Sequence, residues 1–129
     1  MRDPLREPTF LILAALAPQP LHGYGIIGEV AELSAGRMTL RPGTLYGALD
    51  RLGEEGLLEP DHEEVVEGRM RRYYRLTDDG AAVLENEAAR LQGNADAARG
   101  RLARRQAPRA GSAGPVRPGV VRRPAGGLV

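Results

Sequence analysis

Residues 43–58 read Gly-Thr-Leu-Tyr-Gly-Ala-Leu-Asp-Arg-Leu-Gly-Glu-Glu-Gly-Leu-Leu, and residues 69–77 read Arg-Met-Arg-Arg-Tyr-Tyr-Arg-Leu-Thr. In the first stretch Leu45, Leu49 and Leu52 recur at i, i+4 and i+7, the spacing of one buried helical face. Pro42 and Gly43 open this helix and Gly56 closes it. At 100° per residue the opposite side carries Thr44, Gly47, Asp50, Arg51 and Glu54, with Tyr46 on its flank. The N-terminal end of that face is small and uncharged, and Gly47 and Ala48 permit close approach of another surface. Read alone, the helix is ambiguous: Tyr46 also suits packing at a helix edge, and Arg51 also suits pairing with Glu54 or Glu55.

The second stretch settles the ambiguity. Arg69, Arg71, Arg72 and Arg75 place four positive charges in seven residues with no acid among them. Leu57–Asp61, Val65–Glu67 and Arg71–Leu76 are extended candidates, and Glu67-Gly68 is the turn signal of a hairpin. Alternation sends Arg71, Tyr73 and Arg75 to one face and Arg72, Tyr74 and Leu76 to the other. A solvated edge strand guarded by charge has the same composition. Beside a helix with a bare outer face, however, a basic hairpin fits a wing that contacts phosphates or the minor groove, while the helix enters the major groove. Tyr46 and Thr44 then suit phosphate oxygens, and Arg51 suits phosphate or guanine.

Outward from this unit, Pro8 opens a first helix whose run Phe10–Leu16 is apolar almost all round, so it must be buried by its own core or by a second subunit. Pro18 and Pro20 end it. A second helix begins near His22, with Tyr24, Ile26, Ile27, Val30 and Leu33 as its apolar stripe and Gly36 as its cap. After the hairpin, Thr77 offers an N-cap hydroxyl, and Asp78 and Asp79 complement the dipole of a fourth helix. Along it Ala81, Leu84, Ala88, Leu91, Ala95, Ala98 and Leu102 follow a 3,4 spacing, an alanine-rich coiled-coil seam that Gly93 and Gly100 weaken. From Ala107 the composition turns to Pro, Gly and Arg without acid, that of a disordered basic tail. The expected architecture is mostly α with a small β-hairpin wing. Residues 1–76 form a winged helix-turn-helix, 77–106 a dimerisation helix and 107–129 the tail.

Composition narrows the function. The chain has 129 residues, 42% of them apolar, with one Phe and no Trp, so its core is aliphatic. No Cys is present, which excludes disulfides and thiolate metal sites and suits a reducing cytoplasm. All eighteen basic residues are Arg. Residues 1–106 hold fourteen of them against seventeen acids, a net of −3, so nucleic-acid binding must rest on local patches. The run Thr9–Ala17 ends in Ala-Leu-Ala like a secretory signal, but Asp3 and Glu7 cancel the two preceding Arg, and the run is too short for a bilayer. His62 among Asp61, Glu63 and Glu64 makes a poor metal site because adjacent positions diverge. No nucleophile–base pair, phosphate loop or dinucleotide fingerprint occurs, so neither enzyme activity nor a cofactor is expected. His22, at a helix start, suits a structural hydrogen bond or a DNA contact.

Four motifs occur in order: Leu21-His22-Gly23-Tyr24, Pro42-Gly43-Thr44-Leu45-Tyr46, Leu49-Asp50-Arg51-Leu52 followed by Glu54-Glu55-Gly56-Leu57, and Arg72-Tyr73-Tyr74-Arg75-Leu76-Thr77. Together they resemble the PadR-like transcriptional regulators over about residues 8–90. The resemblance implies a homodimeric winged helix-turn-helix repressor on a pseudo-palindromic operator in double-stranded DNA. By it, Tyr24, Thr44, Tyr46 and the wing residues Arg69, Arg71 and Arg72 touch DNA; Arg41, Gly47 and Arg51 complete the expected DNA-facing set. It places the dimer contact on the first and last helices, here Phe10 and Leu13 with Leu84, Ala88, Leu91, Ala95, Ala98 and Leu102. Some members bind a phenolic or flat hydrophobic effector near that contact with a stacking Trp, which this chain lacks. A winged-helix protein-interaction module whose wing docks an acidic partner is the alternative.

Overall fold

The computed structural model describes residues 2–106. The basic tail expected from residue 107 lies outside the described residues. The elements run α1 (Glu7–Leu16), β1 (Leu21–His22), α2 (Gly23–Leu33), α3 (Pro42–Glu54), β2 (Leu58–Val66), β3 (Arg69–Leu76) and α4 (Asp78–Gln106). The strands make one antiparallel sheet in the order β1-β3-β2.

Helix α1 supplies Leu11, Ile12, Leu13, Ala15 and Leu16 to the core, so a helix without a polar face is absorbed largely within the monomer. Ile26 and Val30 of α2, Leu45, Ala48, Leu49 and Leu52 of α3, and Leu40, Leu57 and Leu58 complete a wholly aliphatic cluster. Each buried Leu or Ile contributes about 1.5–3 kcal/mol. The stripe of α2 differs from the expected one: Tyr24 and Leu33 are 70% and 50% exposed, and Gly23, Ile26 and Val30 face inward. Ala48 also points into the core rather than outward, which leaves Gly47 as the bare position of α3. Helix α2 ends in a Schellman turn in which Gly36 N–H donates to Ala31 O over 2.8 Å, and Ala35 rather than Gly36 takes the first left-handed position, at φ 54°.

The hairpin turn is Glu67-Gly68, at φ 52° and 78°, the two-residue form whose twist matches that of its strands. The two extended segments expected before it are a single strand, β2. Pro60 faces Tyr74 and Glu63 faces Arg72, so Asp61 and His62 together oppose Tyr73, a bulge on the edge strand. Pro60 is tolerated there because an edge strand has spare donors. Strand β1 is too short to show any periodicity in sequence, and pairs Leu21 with Tyr74 and His22 with Tyr73.

Thr77 joins the wing to α4. Its hydroxyl donates to Gly56 O over 2.6 Å and accepts from Gly80 N–H over 2.9 Å, while its N–H donates to Leu57 O. Gly80 has no space for a side chain: a β-carbon there would lie 2.8 Å from Leu76 Cδ1 and closer still to the Leu57 carbonyl oxygen. One compact unit runs through Asn94, and the rest of α4 from Ala95 belongs to a second. Within α4 only Gly80 and Glu87 are buried. Glu87, 8% exposed, accepts from Arg90 and from Leu5 N–H, and the Arg90 guanidinium foremost, helped by Leu5, holds its pKa below the usual carboxylate value against the opposing effect of burial. It thereby ties the N-terminal arm to α4. No described helix is long and apolar enough to cross a membrane.

Candidate nucleic-acid interface

Three pieces of chain meet on one side of the molecule: the start of α2, the start of α3 and the distal wing. They border a recess of about 490 Å³ lined by His22, Gly23, Tyr24, Tyr46, Val66, Glu67, Arg69, Met70, Arg71 and Arg72. Five of the expected DNA-facing residues, Tyr24, Tyr46, Arg69, Arg71 and Arg72, are therefore neighbours despite a span of nearly fifty positions in the sequence. Tyr46 lies over Gly23, where only a hydrogen leaves room for its ring and hydroxyl. Arg41, Thr44 and Gly47 are exposed along the outer face of α3, and the space around Gly43 and Gly47 is open.

Arg51 departs from this group. It lies on the other flank of α3, lining a separate recess with Arg2, Arg6, Thr9 and Glu55. Among the described residues it pairs with neither Glu54 nor Glu55; Glu55 accepts instead from Arg2 over 3.1 Å.

The wing is less basic than its second strand suggests. Strand β2 returns Glu59, Asp61, Glu63 and Glu64 along β3, so with Glu67 five carboxylates face four guanidiniums between residues 58 and 76. Arg75 Nε donates to Glu59 over 2.7 Å and its Nη1 to Asp61 over 3.3 Å, and Arg72 Nε donates to Glu63 over 3.3 Å. Among the described residues Arg69, Arg71 and Arg41 have no carboxylate partner within 4.0 Å. The wing guanidiniums without an ion pair thus lie at its distal end, beside the two tyrosines, with Glu64 and Glu67 on the same stretch of hairpin. The cancellation was readable in advance by folding the hairpin about Glu67-Gly68, which sets Glu63 opposite Arg72 and Glu64 opposite Arg71.

On the face of the sheet that carries Tyr73, His62 stacks on that ring at 4.3 Å and His22 leans against it at 5.2 Å. The Tyr73 hydroxyl donates to Glu64 over 2.7 Å. Partial burial and then the Arg71 charge hold the His22 pKa below its ordinary value, against the opposing pull of Glu64. Asp61 bonds His62 and Arg75, which keep its pKa low. Among the described residues no three His, Asp or Glu side chains converge to hold a metal ion.

Of the expected dimer residues, Leu13 is fully buried within the monomer core, so it cannot face a partner while that core is intact. Phe10 and Leu84 are half-buried against the core. Ala88, Ala95 and Ala98 are exposed, as are Leu91 at 40% and Leu102 at 52%.

The profile of the transcriptional regulator PadR-like family matches residues 12–86, more than half of the chain and all of α2, α3 and the wing. The chain belongs to the PadR-like family of transcriptional regulators. A transcriptional regulator of Mycobacterium tuberculosis is 40% identical over 81 residues, 63% of this chain and 72% of that protein. An uncharacterised 37.1 kDa protein of a Streptomyces fradiae transposon is 46% identical over 90 residues, 67% of this chain but only 24% of its own length. Among solved structures, a PadR family transcriptional regulator from Eggerthella lenta superposes with a TM-score of 0.61 at 29% identity, covering 73% of this chain and 80% of that one. Bacillus subtilis PadR, solved in complex with operator DNA, shares the fold with a TM-score of 0.56 at 24% identity, over 63% of this chain and 46% of that one.

Proposed function

We propose that this PadR-like chain is a cytoplasmic, sequence-specific double-stranded-DNA-binding regulator that acts as a homodimeric repressor on a pseudo-palindromic operator. The observation that carries this reading is the convergence of a bare α3 face with Tyr24, Tyr46 and the carboxylate-free Arg69 and Arg71. The start of α3 enters the major groove with Thr44 and Gly47 towards the bases. The tyrosines and distal wing arginines hold the flanking backbone. The exposed alanine and leucine seam of α4 pairs two copies, which sets half-site centres about 34–36 Å apart. A small hydrophobic or phenolic effector would bind without tryptophan stacking and act by changing the angle between the two wings.

Fluorescence anisotropy against the chain's own promoter and a random duplex, at about 150 mM salt, tests this reading. A promoter preference with affinity falling at least tenfold over a fourfold salt rise is expected. No preference at any salt overturns it. That outcome would leave standing the second reading, a protein-docking module whose wing meets an acidic partner through Arg69 and Arg71, which among the described residues have no carboxylate within 4.0 Å.

A further inference from the structure

The recess on the far flank of α3 has a composition that packing does not explain. It measures about 680 Å³ and is lined by Arg2, Asp3, Pro4, Leu5, Arg6, Thr9, Arg51, Leu52 and Glu55. Leu52, almost fully buried, belongs to the core beneath. The charged groups around it are three guanidiniums and two carboxylates, a net of +1 in a folded region whose total is −3. Arg2 is satisfied by Glu55 at 3.1 Å, while among the described residues Arg6 and Arg51 pair with no carboxylate. Two arginines from separate elements, the N-terminal arm and the second half of α3, thus border one polar hollow, and neither is paired with Asp3 or Glu55, which also line it. Guanidinium forks match the oxygens of a phosphate in a bidentate manner, and a hydroxyl such as that of Thr9 adds a donor.

We propose that this recess is an oxyanion site that takes a phosphate group between Arg6 and Arg51, with Arg2 and Thr9 as secondary donors. The phosphate belongs either to a small phosphorylated molecule or to the DNA backbone beside the half-site. In both cases it fastens the N-terminal arm to α3, and Arg51 serves this site instead of reading a base. The small-molecule source stands apart from the DNA-binding reading; the backbone source rests on it.

The test uses the full chain with Arg6→Gln and Arg51→Gln variants, whose side chains are exposed and whose melting should match the parent. In the first arm, pyrophosphate is titrated at constant ionic strength while arginine Nε–H resonances are followed. Saturable shifts at Arg6 and Arg51, lost in the variants and absent with chloride, support the site with a free phosphate as its occupant. In the second arm, the salt dependence of duplex binding is measured. A slope shallower by about 0.9 in each variant, and abolition of that difference by one neutral methylphosphonate in the flanking backbone, support the site with DNA as its occupant. No pyrophosphate shift together with unchanged salt slopes overturns the proposal. If the parent chain binds no duplex at all, the DNA-binding reading fails and the pyrophosphate arm alone decides.

Discussion

Tyr46 of α3 occupies the space that a side chain on residue 23 of α2 would need: a β-carbon there would lie 2.9 Å from Tyr46 Cζ and closer to its hydroxyl. The two helices are keyed by an absence, and the key sits on the side proposed to face DNA. Gly23→Ala is therefore expected to cost less than the ~1–3 kcal/mol of core overpacking, because the exposed end of the Tyr46 ring can swing aside, and to weaken operator binding by pushing Tyr46 outward. Urea melts of Gly23→Ala, Tyr46→Ala and the double variant check this, because the double variant should lose less than the sum of the singles. Strict additivity would refute the steric account.

The distal and proximal wing arginines should behave differently. Arg69→Ala and Arg71→Ala are each expected to lower the salt slope of duplex binding by about 0.9, whereas Arg75→Ala, engaged with Glu59 and Asp61, should leave it nearly unchanged. Glu63→Gln should raise affinity for all duplexes by freeing Arg72. Equal effects from all three arginines would mean the ion pairs across the hairpin do not persist in the complex.

Gly47 has nothing within 4 Å of its missing side chain, so larger residues fit the folded chain. Gly47→Ala should stabilise α3 by about 0.8–1.0 kcal/mol through helix propensity, and Gly47→Glu should leave the melting temperature at or above that of the parent. The same Glu variant should lose operator preference, since it sets charge and bulk against the groove floor. Retained preference in a folded Gly47→Glu protein would remove α3 as the reader.

His22 gives a pH dependence with a defined sign. Its folded pKa lies below the ordinary 6.5, so in the window just beneath that value the unfolded chain binds more protons. Stability should therefore fall as pH drops through 6.5 towards the lowered value, and the part due to His22 should vanish in His22→Gln. Melting temperatures of the two proteins between about pH 7.5 and 5.5 span the window around the ordinary His pKa. A parallel pair of curves would show that His22 titrates as in the unfolded chain.

Leu91 is 40% exposed in the single chain, in the middle of the α4 seam. Leu91→Asp is expected to shift sedimentation from dimer to monomer, because the partner helix would have to bury an unpaired charge. The Ala88→Asp variant, on the same face, should do likewise. An unchanged sedimentation coefficient in both would place the dimer contact elsewhere.

The elements that were legible in sequence are those whose pattern is local. Leu45, Leu49 and Leu52 announce α3 by spacing alone, and Glu67-Gly68 and Thr77 announce a turn and a cap by residue type. What escaped depends on pairing across distance. Strand β1 is two residues whose only claim to be a strand is Tyr73 and Tyr74 beside them. Tyr24 faces outward, as its expected DNA-facing role requires, and does not join the apolar stripe, because Ile26 and Val30 suffice to bury α2. Arg51 followed the outer face of α3 on a helical wheel, but the N-terminal arm folds back beside that flank, and no periodicity records where an arm goes. No local pattern marks Glu87, whose partner Leu5 N–H lies 82 positions away in the chain.

The junction at Gly56, Leu57 and Thr77 has a mechanical meaning. Leu57 N–H closes the last turn of α3 by bonding Leu52 O, and its own carbonyl receives Thr77 N–H and abuts Gly80. Helix α3 and the root of the long helix thus both bear on one residue, Leu57. Leu57 is the shared point of support, so a signal that moved the first turn of α4 would act first on the end of the helix proposed to read DNA.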